Sequence, residues 1–214
     1  MKKCFAGLIL ALVVMGSLTA QKIDISKRPL QQERSRDYDV KHYRIALTFD
    51  LDKKSFWGEN RITLSPLKDG FTDCRLDAEE MTVTRVFGKN NSPLQFRQSE
   101  KHITVCLAQA YPYGDDVTFT VKYRATDPKQ GLYFEDKTPE RPQMVSVASW
   151  PDRAHHWFPC YDYPHDKATH ETIITVKDTL NVLSNGELIQ VTEDRAKALK
   201  TYFWLQDLPH STYL

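Results

Sequence analysis

From Asp37 onward, apolar and polar positions alternate with a period of two. In YDVKHYRIALTFDLD, the apolar residues Tyr43, Ile45, Leu47, Phe49 and Leu51 are interleaved with Arg44, Ala46, Thr48 and Asp50. Side chains in a strand point to opposite faces in turn, so this pattern predicts a strand with one face buried. FWGENRITLSPL follows with Ile62 and Leu64 on one side. The pattern returns in MTVTRVFGK, in HITVCLAQ (Ile103, Val105, Leu107) and in VTFTVKYRA (Val117, Phe119, Val121, Tyr123). ETIITVKD, LNVLSNGELIQV and KTYFWLQDL complete the series. Turn-forming residues separate the runs at Lys68–Gly70, Gly88–Pro93, Tyr111–Asp116 and Ser184–Gly186. VTEDRAKALK reads as a hairpin loop or one turn of helix, and no amphipathic helix of more than two turns is found. Short strands with a turn about every ten residues predict an all-β fold, an antiparallel β-sandwich or saddle-shaped sheet. The last segment, LPHSTYL, reads as the start of a further strand entered after Pro209. The β domain assigned to residues 37–214 is therefore expected to be incomplete at its C-terminal end.

The first twenty residues follow a different rule. Lys2 and Lys3 precede an apolar run from Phe5 to Met15, and the small residues Gly16, Ser17 and Ala20 follow. That order is the one of a secretory signal peptide, with cleavage expected near Ala20. The run is too short to span a bilayer comfortably, so no transmembrane span is predicted, and the location expected is secreted or periplasmic. Residues 21–36 are polar without a period and read as a lead-in segment. Cys4 falls in the signal peptide, and Cys74, Cys106 and Cys160 remain. Export permits disulfides, and an odd count leaves at least one thiol over within the chain. A Cys74–Cys106 pairing is possible, but nothing in the sequence demands it.

A hydrophobic content of 41% and a charged content of 27% describe an ordinary globular chain and exclude a disordered one. Without Lys2 and Lys3 the 29 basic residues fall to 27, against 28 acidic ones. So even a balance gives no field for nucleic acid, and none is expected as a partner.

Candidate chemistry concentrates in HHWFPCYDYPHDKATH, from His155 to His170. Its spacing, HHxxxCxDxxHDxxxH, matches no short zinc repeat, and Pro159 and Pro164 prevent helical spacing across it. His170–Ile174, HETII, opens like the zinc motif His-Glu-x-x-His, but Ile174 stands where the second histidine belongs. The segment also reads as a strand, which would set residues four apart roughly 13 Å from one another. Cys160 as a nucleophile would need a nearby cation or a helix N-terminus, and Pro159 directly before it argues against that setting. No catalytic residue and no metal ligand is assigned within this chain.

WFPCYDYPHDKATHETIITV resembles the signature near the end of the N-terminal domain of M1-family zinc aminopeptidases. The matching residues are Trp157, Phe158, Pro159, Cys160, Asp162, Pro164, Lys167, Ala168 and Thr169. DYDVKHYRIALTFD, FWGENRITL, LSNGELI and PHSTYL are similar to other strands of that domain. The resemblance implies an N-terminal β domain of an aminopeptidase N-like enzyme, truncated before the catalytic domain. Zn2+ is implied for the full-length enzyme and no cofactor for this chain. The implied partners are the catalytic domain of the same polypeptide and the peptide substrates of the whole enzyme. It assigns the signature residues a structural role at the domain interface, with Asp162 and Lys167 as hydrogen-bond or ion-pair partners. His155 and His156 are placed at the interface or surface. Family members commonly carry Gln or Glu a few residues before the proline matching Pro151, where it meets the substrate's N-terminal end. Here the segment is VASWP, so Ala148 and Trp150 are the substrate-side positions, and neither is a carboxamide or carboxylate.

Two other readings compete. A free-standing secreted β-sandwich binding module would lack the exposed apolar face of a domain separated from its neighbour. A cysteine hydrolase would require Cys160 to be reactive.

Overall fold

The computed structural model describes residues 36–214. The signal peptide assigned to residues 1–20, and all but the last residue of the lead-in at 21–36, lie outside the described residues. Twelve strands form: β1 (Tyr38–Asp50), β2 (Ser55–Pro66), β3 (Phe71–Asp77), β4 (Thr82–Phe87), β5 (Phe96–Gln98), β6 (His102–Tyr111), β7 (Val117–Thr126), β8 (Gly131–Glu135), β9 (Met144–Ala148), β10 (Lys167–Lys177), β11 (Glu187–Asp194) and β12 (Leu199–Ser211). There is no α-helix among the described residues.

Seven strands make one sheet in the order β11-β12-β10-β1-β2-β7-β4, and two smaller sheets, β3-β6-β5 and β8-β9, accompany it. The large sheet is mixed, which corrects the antiparallel arrangement expected from the sequence. β1 and β10 run parallel, with Ile45 opposite Thr172 and Leu47 opposite Ile174. Alternation reports which face of a strand is buried but not the direction of its neighbour. A parallel partner must come from far along the chain, since the connection has to cross back to the starting end.

The alternation itself is realised. Tyr43, Ile45 and Leu47 of β1, Ile62 and Leu64 of β2, and Phe119, Val121 and Tyr123 of β7 are buried on one face. Cys74 and Leu76 of β3 and Ile103 and Val105 of β6 close over that face at one end, and all of them join one core. The opposite face carries charged pairs: Arg44 Nε lies 2.9 Å from a Glu171 carboxylate oxygen there.

β3, β5, β8 and β9 are not among the predicted strands. A register shift between Phe71 and Asp73 breaks the period of β3. β5 has three residues, and β9 is largely exposed, so neither has a strong pattern. The predicted strand after Pro209 is instead the continuation of β12. Ala168 pairs with His210 and His170 with Gln206, so 207–209 bulge opposite Thr169. Proline has no N–H to give a ladder, and a bulge asks for none. Cys74 sits opposite Val105 and Cys106 opposite Asp73, so the two cysteines point to opposite faces and do not bond to each other.

Candidate functional site

The signature segment begins at the end of β9. Arg153 N donates to Ser149 O at 2.8 Å, and a 3-10 turn follows at Ala154–His156. Phe158 N closes it on Ala154 O, and Pro159, with no N–H, ends it. The chain then runs extended and clamps several strands together. Cys160 and Asp77 exchange backbone hydrogen bonds of 2.7 and 3.1 Å, which ties the segment to the end of β3. Tyr161 N donates to the Tyr43 hydroxyl of β1 at 3.0 Å, and Asn60 Nδ2 of β2 donates to Pro159 O at 2.9 Å. Ser211 Oγ of β12 donates to Pro164 O. Asp162 is the hub of the clamp. Its carboxylate accepts from His155 N, His155 Nδ1 and Thr212 Oγ1, and its own N–H donates to Asp77 Oδ2.

One side of this clamp faces an apolar trough of about 650 Å³. Its floor is the inner face of β1 and β10, and β9, residues 180–185 and residues 210–214 form its walls. Trp157 and Phe158 line it together with the two substrate-side positions, Ala148 and Trp150. Trp150 is 72% exposed at the rim and is joined to Pro151 by a cis peptide bond. Trp157 is anchored through Nε1, which donates to Ser149 Oγ at 3.0 Å. Val147 and Leu183 are also exposed here. Monomeric proteins rarely leave a large contiguous apolar surface open without a use for it.

The other predicted residues are placed as follows. Cys160 is fully buried, out of reach of any substrate, which removes the cysteine-hydrolase reading. Thr169 sits at the bulge, and its hydroxyl donates to Lys41 O and meets His42 Nδ1 at 2.7 Å. Lys167 is exposed, and no ion pair involves it among the described residues. HETII lies within β10, so His170 and Ile174 are separated along a strand. His156 is buried rather than superficial.

The structure also gathers residues that sequence reasoning did not select. The run Asp77–Glu80 lies against the 3-10 turn: Glu80 Oε2 takes His156 Nδ1 at 3.0 Å, across 76 positions of sequence. His155 Nε2 lies 3.5 Å from Glu79. Burial pulls the His155 pKa down, but the hydrogen bond and charge of Asp162, aided by Asp77 and Glu79, outweigh it and leave the pKa above its ordinary value. Burial lowers that of His156, and the neighbouring His155 adds to this against the pull of Glu80 and Glu79. No short-range signal joins DAEE to HH, because the contact is made only when β3 meets the clamp.

His170 faces the trough beside His210, whose Nε2 lies 2.7 Å from His170 Nδ1. Burial, then the charges of His210 and His42, push the His170 pKa down to about 4. The unfolded chain takes up this proton near pH 6.5 and the folded chain only near 4. The contribution of His170 to stability is therefore present above pH 6.5 and is lost as the pH drops towards 4. From pH 7 to pH 5 this one group should cost about 2 kcal/mol. Urea midpoints at the two pH values should show that loss, and His170→Gln should reduce it. An unchanged loss in the variant would assign it to other groups.

The described residues do not reproduce the zinc motif that the aminopeptidase resemblance would require of a catalytic domain. What they do reproduce is a fold. An M1 zinc metallopeptidase from Deinococcus radiodurans superposes with a TM-score of 0.73 at 22% identity, over 83% of this chain and 41% of that one. A two-domain M1 zinc metallopeptidase mutant bound to L-tryptophan gives 0.74 at 22% identity, over 84% and 41%. A Deinococcus radiodurans mutant bound to a Tyr-Ser-Ala substrate gives 0.70 at 23%, over 83% and 41%. The chain thus spans about two fifths of the length of these structures. No curated protein matches it in sequence. The family model described as the peptidase M1 N-terminal domain matches residues 39–214, most of the chain, and the chain belongs to that family.

Proposed function

We propose that the chain is the non-catalytic N-terminal domain of an exported, zinc-dependent aminopeptidase that removes N-terminal residues from peptides. The observation that carries this reading is the apolar trough, open along a rim that includes Trp150, in a domain of the M1 N-terminal family. The occupant proposed for the trough's exposed margin is the catalytic domain of the same polypeptide. Trp150 stands where it would meet the N-terminal end of a peptide, and it offers an aromatic face in place of a hydrogen-bonding side chain. The catalytic Zn2+, which activates water and polarises the scissile carbonyl when bound, would be held by residues of that other domain.

The test compares two proteins on aminoacyl p-nitroanilides: the present chain, and the product of the reading frame continued past the codon for Leu214. The chain should release no nitroaniline, and the longer product should release it in a chelator-sensitive way. A stop codon directly after Leu214 would overturn the proposal in favour of a secreted β-sandwich binding module.

A further inference from the structure

The cluster between β3 and the 3-10 turn has the makings of a site of its own. Glu79, His155 and His156 each present one ligand atom, and these lie within 4.8 Å of one another. Two imidazoles and a carboxylate form a borderline-hard donor set suited to Zn2+ and its neighbours among divalent transition metals. Ligand atoms around a tetrahedral zinc stand about 3.4 Å apart, so the present spacing closes on an ion by side-chain rotation. His155 Nε2 and Glu79 Oε2, at 3.5 Å, are already at that separation.

The surroundings favour the same conclusion. A ligating histidine is commonly oriented by a carboxylate on its other ring nitrogen. Both histidines have that arrangement. Asp162 Oδ2 lies 2.7 Å from His155 Nδ1, and Glu80 Oε2 lies 3.0 Å from His156 Nδ1. Each contact occupies Nδ1 and leaves Nε2 as the nitrogen with which the ring can ligate. The two carboxylates are themselves held. Asp162 also accepts from His155 N and Thr212 Oγ1, and Glu80 from the backbone N–H groups of Lys129 and Gln130. The backbone between the ligands is fixed as well, since Glu79 N donates to His155 O at 3.0 Å. Glu80 adopts a positive φ of 57°, a conformation that side chains rarely take and that tends to mark functional positions. Asp77, Glu79, Glu80 and Asp162 together bring four carboxylates to two histidines. Lys101 Nζ approaches the far oxygen of Glu79 only at 3.9 Å, and His102 faces Asp77 at 3.4 Å. Side-chain exposures of 24% for Glu79 and 17% for His155, against 4% for His156, leave an entry path from solvent on one side.

We propose that Glu79, His155 and His156 bind one divalent transition-metal ion of the zinc class, oriented by Asp162 and Glu80, which joins the β3–β4 connection to the signature clamp. It does not depend on the peptidase reading, because all of its residues lie in this chain.

The test uses the chain stripped with chelator and titrated with Co2+ alone, followed by visible absorption and by melting temperature. One Co2+ per chain should bind, with the absorption of a four- or five-coordinate ion, should raise the melting temperature, and should be displaced by Zn2+. Glu79→Gln and His155→Gln should each weaken binding at least tenfold. Glu80→Gln should weaken it by a similar or smaller factor through the loss of orientation. His170→Gln should leave it unchanged. Glu79 is partly exposed, so its variant should keep the near-ultraviolet circular dichroism of the parent and report on binding alone. Absence of binding would overturn the proposal and leave ordinary histidine–carboxylate pairs. So would binding that survives Glu79→Gln but is lost in His170→Gln, which would move the ligand to the His170–His210 pair.

Discussion

Phe158→Ala should lower the free energy of unfolding by about 4 kcal/mol, within the range found for buried phenylalanines cut to alanine. Phe158 is 3% exposed. Its ring meets Tyr43 edge-on with centroids 5.4 Å apart, and Trp157 lies against it at 4.4 Å. Removing it deletes apolar burial, leaves a void beneath the trough and loosens Tyr43, the residue whose hydroxyl receives Tyr161 N. Phe158→Leu refills most of the volume and should cost about 1–2 kcal/mol, chiefly through the lost ring contacts. Urea unfolding of the two variants beside the parent would check both values. A change below 1 kcal/mol for Phe158→Ala would show that the clamp does not rest on this ring.

Gly131→Ala is the second large effect, expected at about 3 kcal/mol or more. Gly131 opens β8 with φ at +74°, where an added Cβ is disfavoured by about 1 kcal/mol. The larger cost is contact. That Cβ would lie 2.1 Å from Arg153 O and 3.2 Å from His156 Cβ. Arg153 O is backbone and accepts the N–H that shapes the 3-10 turn, so it cannot rotate aside. The turn would have to move away from β8, taking His155 and His156 with it. Gly70→Ala separates the two causes. Gly70 has a φ of +70° but nothing within 4 Å of its would-be Cβ, so it should cost only the conformational part, about 1 kcal/mol. Equal costs at the two positions would mean that close approach is not what demands glycine at 131.

How much of this was legible beforehand depends on the range of the interaction. The buried faces of β1, β2, β6 and β7 could be read because alternation is local: each side chain's environment follows from its neighbours two positions away. The clamp was legible as a motif, since Phe158, Pro159, Cys160, Asp162 and Pro164 are contiguous, but its partners were not. Asn60, Asp77, Tyr43 and Thr212 come from four separate parts of the chain, and nothing near them in sequence marks them as neighbours of the motif.

By itself the sequence determined that this is a β protein, which faces of its longest strands are buried, where most turns fall, and that one compact segment resembles the M1 signature. Those properties arise from backbone sterics, side-chain alternation and turn chemistry, all of which act within a few residues. Only the tertiary structure decided that β1 and β10 run parallel, that Pro209 sits in a bulge rather than before a new strand, and that Cys74 and Cys106 face apart. It also decided that Glu79 and Glu80 meet His155 and His156. Each of those depends on which distant segments share a sheet or a face, and burial of the whole core sets that pairing rather than any local preference.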